Sequence, residues 1–258
     1  ETSMPNHKDP KSVLALAQIT QDSYFEQNDP QWIAVPGWNV TSGFGFDSGA
    51  IRGYVFENDL EDTLIIVIKG TSLATPIGSG PTAAMDKLND NMMFSCCCAK
   101  TGWSWNKMCD CPQAGNTCSK SCLLRASNFD GSYYNLAQTI YLAVKEWFPK
   151  HTDIWMTGHS LGGALASLVA LTNNLPAFAY ESPERLGLLP AGSRTDMNAF
   201  LSSLPIFHFG NTGDPIFLGQ CFGPSSSCYW FSYILESHCH VGSECNGVLY
   251  LTFRYLWE

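Results

Sequence analysis

Val13, Leu16, Ala17, Thr20 and Tyr24 recur at helical spacing behind Ser12, the expected N-cap, which predicts a first amphipathic helix on one face of a sheet. Two strand patterns follow, Ile51 to Glu57 and Thr63 to Lys69, joined by a turn at Asn58-Asp59. The second holds the unbroken run Leu64-Ile65-Ile66-Val67-Ile68, which predicts burial on both faces. A long stripe, Tyr133, Leu136, Ala137, Ile140, Tyr141, Val144 and Trp147, predicts a helix closed by Pro149. Short strands are then expected at Ile154–Thr157, Ala177–Glu181 and Ile206–Phe209, a helix at Ala164–Leu171. This α/β alternation predicts a mostly parallel central sheet with helices on both faces, in one domain spanning 1–258.

Between the strand Ile154–Thr157 and its helix lies Gly158-His159-Ser160-Leu161-Gly162-Gly163. That is a G-x-S-x-G nucleophile elbow in its proper context of strand, sharp turn and helix, as in the α/β-hydrolase plan. A serine hydroxyl is a weak nucleophile, so Ser160 requires a general base and a carboxylate to orient it. The plan orders them Ser, acid, His. Asp196 and Asp214 are the two aspartates after Ser160, and Asp214, in Gly213-Asp214-Pro215 just beyond a strand, is the expected acid. His208 precedes Asp214, which leaves His238 and His240; two residues apart, they face opposite ways if extended, and periodicity does not choose between them. His159 is disfavoured because the elbow turns it away from Ser160. The oxyanion requires two donors, expected at Leu161, after the nucleophile, and at Thr71, in the loop Lys69-Gly70-Thr71-Ser72 that ends the buried strand.

Beyond Thr71, residues about 73–95 combine Gly78-Ser79-Gly80-Pro81 with Met85, Met92, Met93 and Phe94, a pattern expected of a lid, with a core-packing loop as the alternative. A cysteine-rich insertion at about 96–122 carries most of the eleven cysteines, which suits an oxidising compartment. The spacing Cys109-x-Cys111 with Cys118-x3-Cys122 is tighter than structural zinc sites use and has no histidine nearby, so disulfides are expected and no metal. Trp103 and Trp105 suit either a lipid interface or packing on disulfides. Asn39-Val40-Thr41 is a glycosylation sequon at Asn39. The net charge of −9 argues against nucleic acid and against a purely electrostatic grip on anionic membranes. The chain starts at Glu1 and holds no apolar run long enough to span a bilayer, so a removed signal or anchor is expected.

Together these residues resemble the class 3 lipases, and more narrowly the fungal vacuolar lipases that break down autophagic bodies. The narrower likeness rests on Ile51-Arg52-Gly53-Tyr54-Val55, Ile68 to Ser72, Asp86-Lys87-Leu88-Asn89-Asp90-Asn91 leading to Phe94-Ser95-Cys96-Cys97-Cys98, Ile154 to Gly163, Glu181-Ser182-Pro183, Asp214-Pro215-Ile216 and Cys239-His240-Val241-Gly242. The triple cysteine is its most specific element. The resemblance implies that the base is His240, completing Ser160 and Asp214. It also implies acyl-ester hydrolysis of membrane phospholipid in a vacuole-like lumen, with no cofactor and no obligate protein partner. The resemblance leads to the expectation that the family's membrane anchor lies outside this chain, and the tail 246–258 matches none of its blocks. Cys221 with Cys228, around a Gly-Pro-Ser loop, is the first expected bridge, and Cys239 with Cys245 the next. Two other readings are an esterase of soluble or polymeric esters and a catalytically silent lipid-binding hydrolase fold.

Overall fold

The computed structural model describes residues 4–47, 49–72, 82–95, 109–114, 117–126, 129–183, 200, 203–221, 225–226, 228, 233–236, 240 and 242–246. Its centre is a sheet of seven strands: β1 (Trp38–Phe44), β2 (Gly53–Asn58), β3 (Thr63–Ile68), β4 (Asp153–His159), β5 (Ala177–Tyr180), β6 (Ile206–Gly210) and β7 (Ser243–Asn246). They lie side by side in chain order. The β1–β2 and β2–β3 pairs are antiparallel, and every pair from β3 to β7 is parallel. Five helices complete the order: α1 (Pro10–Asp22), α2 (Ala83–Phe94), α3 (Lys120–Ala126), α4 (Tyr133–Trp147) and α5 (Leu161–Asn173).

Why the sheet forms is plainest at β3, where all six residues are buried. Alternate side chains serve opposite faces: Leu64, Ile66 and Ile68 pack with α4 and α5, while Ile65 and Val67 pack with α1. Each fully buried side chain of this kind contributes about 1.5–3 kcal/mol of transfer free energy. This mostly parallel sheet covered on both faces, with a serine at the β4–α5 turn, is the α/β-hydrolase architecture that the sequence pattern predicts.

Several details depart from expectation. Asp9, not Ser12, caps α1: its carboxylate accepts from the Lys11 and Ser12 N–H groups, and Pro10 fills the first helical position, where a missing N–H costs nothing. The Asn58-Asp59 turn is wider than a dipeptide, with Asn58 Oδ1 accepting from the N–H groups of both Asp62 and Thr63. The strand expected at Ala177–Glu181 stops at Tyr180 because Glu181 enters the left-handed region at φ +46°. Strands β1 and β7 were not foreseen.

The larger difference concerns the expected lid. Its second half is α2, a helix whose Ala83, Asp86, Asn89, Asp90, Asn91, Met92, Met93 and Phe94 are all buried. Asn89 Oδ1 accepts from Tyr133 N–H at 2.7 Å, Asn91 Oδ1 from Ile234 N–H at 2.9 Å, and the Phe94 carbonyl from Glu236 N–H at 2.9 Å. The Met and Phe stripe is core, the alternative reading. Residues 73–81 lie outside the described residues, as do Cys96–Cys98, Trp103, Trp105, Asp196 and His238.

In the cysteine-rich insertion Cys111 bonds Cys122, and Cys109 and Cys118 are disulfide-bonded as well. The spacing that resembled a zinc site therefore serves covalent cross-links. The expected Cys221–Cys228 bridge is present, whereas Cys239 lies outside the described residues. Among the described residues no helix is long and apolar enough to cross a membrane.

Candidate active site

Ser160 sits where β4 ends and α5 begins, at φ +53° and ψ −128°. A non-glycine residue held there costs about 1–3 kcal/mol, and such strain concentrates at functional sites. The turn is fixed from both sides. Ser160 N–H donates to the Tyr180 carbonyl at 2.9 Å, and its own carbonyl accepts from Ala164 N–H at 3.1 Å. Gly162 lets the helix meet the sheet: a Cβ there would lie 2.1 Å from the Ile68 carbonyl oxygen.

The loop after β3 closes on the serine. A Cβ on Gly70 would lie 2.4 Å from the His159 carbonyl oxygen and 3.2 Å from Ser160 Cβ, so glycine at 70 allows Thr71 to stand beside the nucleophile. Thr71 Oγ1 donates to Asp90 Oδ2 at 2.6 Å, and Ser72 N–H donates to Asp86 Oδ2 at 2.8 Å. Asp86 also accepts from Thr82 Oγ1 at 2.8 Å and from the Tyr133 hydroxyl at 3.0 Å. Burial pushes Asp90 up to about 8, the Thr71 hydrogen bond acting against it and the charge of Asp86 with it. Lys69 Nζ donates to the Gly70 carbonyl at 2.9 Å and to Ser72 Oγ at 2.7 Å. Thus α2 grips the loop that carries the expected second oxyanion donor. Leu161, the first donor by position, opens α5, where the helix leaves its first N–H groups unpaired by the helix itself.

Tyr24 and His159 buttress the same corner. The tyrosine hydroxyl lies 2.7 Å from His159 Nδ1 and receives the Gly70 backbone N–H, tying the oxyanion loop to the elbow. Burial lowers His159 to about 4, so its neutral ring accepts the tyrosine proton and is not the base.

Asp214 lies just past β6. Its carboxylate accepts from Ile216 N–H at 3.1 Å and Phe217 N–H at 3.3 Å, and a side-chain hydrogen bond joins it to Glu181 at the end of β5. Burial raises Asp214, opposed by those donors. His240 stacks on Phe217 at 4.3 Å between ring centroids, so Phe217 touches both Asp214 and His240.

His240 has two polar neighbours on other parts of the chain. Its Nδ1 lies 3.1 Å from Glu244 Oε1 and its Nε2 lies 3.1 Å from the Ser182 carbonyl oxygen. Both neighbours are acceptors, an arrangement that suits the doubly protonated ring and not a base with a free lone pair. Ser182 is close to the elbow, its Cβ 2.9 Å from where a Cβ on Gly163 would stand. The structure therefore places the Gly70–Thr71 loop against the elbow that carries Ser160 and Leu161, Asp214 beside Phe217, and His240 against Phe217, Glu244 and the Ser182 carbonyl. Glu244, Glu181, Tyr24 and Asp90 were not foreseen; each acts across the fold or from a strand too polar to announce itself. Asn39 is exposed on β1, its side-chain amide donating to Asp59 Oδ1 at 2.8 Å.

Comparison with known proteins gives the same direction. The family model described as "Lipase (class 3)" matches residues 100–178. A protein of Vanderwaltozyma polyspora named "Putative lipase ATG15" is 43% identical over 254 residues, covering 94% of this chain and 44% of that protein. A Cryptococcus neoformans protein of the same name is 40% identical over 263 residues, covering 98% of this chain and 49% of its own length. The chain thus spans about half the length of these relatives. The Lip2 lipase of Yarrowia lipolytica is similar at 16% identity and a TM-score of 0.49, over 95% of this chain and 81% of that one, a likeness on which no assignment depends. With the same relatives matched over nearly its whole length, and a nucleophile elbow at the point where the family model applies, the chain belongs to the class 3 lipases.

Proposed function

We propose that this chain is the catalytic region of a serine lipase that hydrolyses acyl esters of membrane phospholipids, degrading autophagic bodies and other vesicles in a vacuole-like lumen. The observation that carries it is Ser160 at φ +53° with the Gly70–Thr71 loop packed against it. In this reading Ser160 Oγ attacks the ester carbonyl carbon and passes its proton to His240. The carbonyl oxygen becomes an oxyanion between the Leu161 and Thr71 N–H groups. Collapse expels the lysophospholipid alkoxide, which takes the proton from the imidazolium; water, deprotonated by the same ring, then releases the fatty acid and restores Ser160. Asp214 orients the base.

The disulfides favour an oxidising lumen, and the relatives' names favour lipase chemistry. The test is covalent. An active-site phosphonate is expected to label the parent chain at Ser160 and to leave Ser160→Ala unlabelled, with kcat on a soluble ester reduced on the order of 10⁶-fold, as for a serine hydrolase nucleophile. Undiminished hydrolysis by Ser160→Ala would remove the proposal. Vesicle binding without labelling would favour the silent lipid-binding fold. Rapid cleavage of monomeric short-chain esters, with phospholipid vesicles left intact, would favour the soluble-ester reading.

A further inference from the structure

The end of β5 and the turn after β6 bring together two carboxyl groups that a triad alone does not call for. Glu181 lies at φ +46°, a conformation that costs a non-glycine residue about 1–3 kcal/mol and that directs its side chain across to the neighbouring strand's turn. There both of its carboxyl oxygens approach the Asn211 N–H, at 3.0 and 2.9 Å, and a side-chain hydrogen bond joins it to Asp214. Asp214 in turn closes its own turn, with Asp214 N–H donating to the Asn211 carbonyl at 2.9 Å and the carboxylate accepting from Ile216 and Phe217. Two carboxyl groups form such a bond only when one of them carries a proton.

We propose that Glu181 is a positioning residue for Asp214: protonated, it donates the hydrogen bond that holds the Asp214 carboxylate and, through Phe217, the stacked His240 ring. Losing that proton leaves two adjacent negative charges, which repel and loosen the 211–217 turn. The inference rests on the reading of Asp214 as the catalytic acid.

Among the described residues, the turn carries Asp214, β6 carries His208, β4 carries Asp153 and His159, β5 carries Tyr180, β7 carries Glu244 and the segment before it His240, while α5 carries none. His208 Nδ1 lies 3.1 Å from Ser182 Oγ, and His240 faces the Ser182 carbonyl, so Ser182 stands between Glu181 and both rings in the chain's contacts. Asp214 supplies the charge that acts on Glu181. In agreement with the geometry, burial pushes Glu181 up to about 7, the Asn211 N–H opposing and Asp214 adding to the rise. The singly protonated pair therefore exists in acid and is lost as pH rises through neutrality.

The test compares Glu181→Gln, Glu181→Ala and Asp214→Asn with the parent chain, measuring kcat and KM on a soluble short-chain nitrophenyl ester from pH 4.5 to 9. Glutamine keeps a donor that does not titrate. Glu181→Gln is expected to retain parent kcat in acid and to lose the decline of kcat near pH 7. Glu181→Ala is expected to lower kcat at least tenfold in acid, with KM within about twofold, the split of a group that acts on the transition state, and to converge on the parent above pH 7, where the parent pair is already lost. Thermal unfolding at pH 5 shows whether each variant is folded. If Asp214→Asn is inactive while both Glu181 variants, folded, keep the parent profile, the inference is overturned and the reading of Asp214 stands. If Asp214→Asn keeps parent activity, the reading of Asp214 fails and takes the inference with it.

Discussion

Ser160 is the residue on which the proposed chemistry converges, and its neighbours explain why its strained backbone is tolerated. The elbow is held by main-chain bonds to Tyr180 and Ala164, by close approach at Gly162 and by the Tyr24 hydroxyl that joins His159 to Gly70. Thr71 is fixed more finely, by one short bond to Asp90. Thr71→Val removes that bond while keeping the side chain's shape. It is expected to lower kcat about 10²-fold, the cost of displacing a catalytic group by about 1 Å, with KM little changed. Steady-state kinetics on a soluble ester checks this; an unaltered kcat would mean that Thr71 is not fixed through its hydroxyl. Much of this was legible in the sequence, because elbow and strand-end loop are short, local motifs whose spacing carries their geometry. Glu181 and Asp90 were not, since their partners, Asp214 and Thr71, lie on other elements. His240 was reached through its sequence block, and its contacts with Glu244 and Ser182 arise only once β7 joins the sheet.

At the scale of elements, α2 shows how polar content misleads. Asp86, Asn89, Asp90 and Asn91 on one short helix suggest solvent, yet all are buried and hydrogen-bonded to the oxyanion loop, α4 or the 234 backbone. A buried polar group that keeps its partners avoids the desolvation penalty, so the helix is core despite its composition. Met93, 3% exposed, packs in the same cluster as β3 and α5. Met93→Ala is expected to destabilise the chain by about 2–5 kcal/mol, read as a shift in denaturant midpoint; a change below about 0.5 kcal/mol would match a surface lid instead. The parallel strands were legible because their apolar runs are dense. By contrast β1 alternates only between partly buried and exposed positions, and β7, Ser-Glu-Cys-Asn, has no apolar run to mark it. Asp9 and Ser12 are both cap-forming residue types three apart, so the pattern alone does not separate them; in the fold the Ser12 hydroxyl donates to Asp9 Oδ2 at 2.8 Å.

Over the whole molecule, buried carboxyl groups tilt stability toward acid. Burial pushes Asp22 up to about 6, Glu181 to about 7 and Asp90 to about 8. Each holds its proton more tightly folded than unfolded, so its contribution is complete below the ordinary carboxylate range and is lost as pH rises through those values. His159, lowered to about 4 by burial, acts oppositely, losing its contribution as pH falls from about 6.5 toward 4. Asp214, raised as well, acts with these carboxyls, and His7, lowered, acts with His159. The larger set of raised carboxyls predicts that the melting temperature rises as pH falls from 8 to about 5, measurable by scanning fluorimetry; a higher melting temperature at pH 8 would contradict the burial of these carboxyls. Such a profile suits an acidic lumen, where the net charge of −9 is also partly neutralised at a lipid surface. The central claim, a Ser160-dependent phospholipase, is tested most directly by mass spectrometry of products after incubating the parent chain and Ser160→Ala with mixed phospholipid vesicles at pH 5 and pH 7. The account predicts lysophospholipid and free fatty acid from the parent, more at pH 5, and neither from Ser160→Ala. Intact phospholipid with the parent, or equal products from both chains, would contradict it.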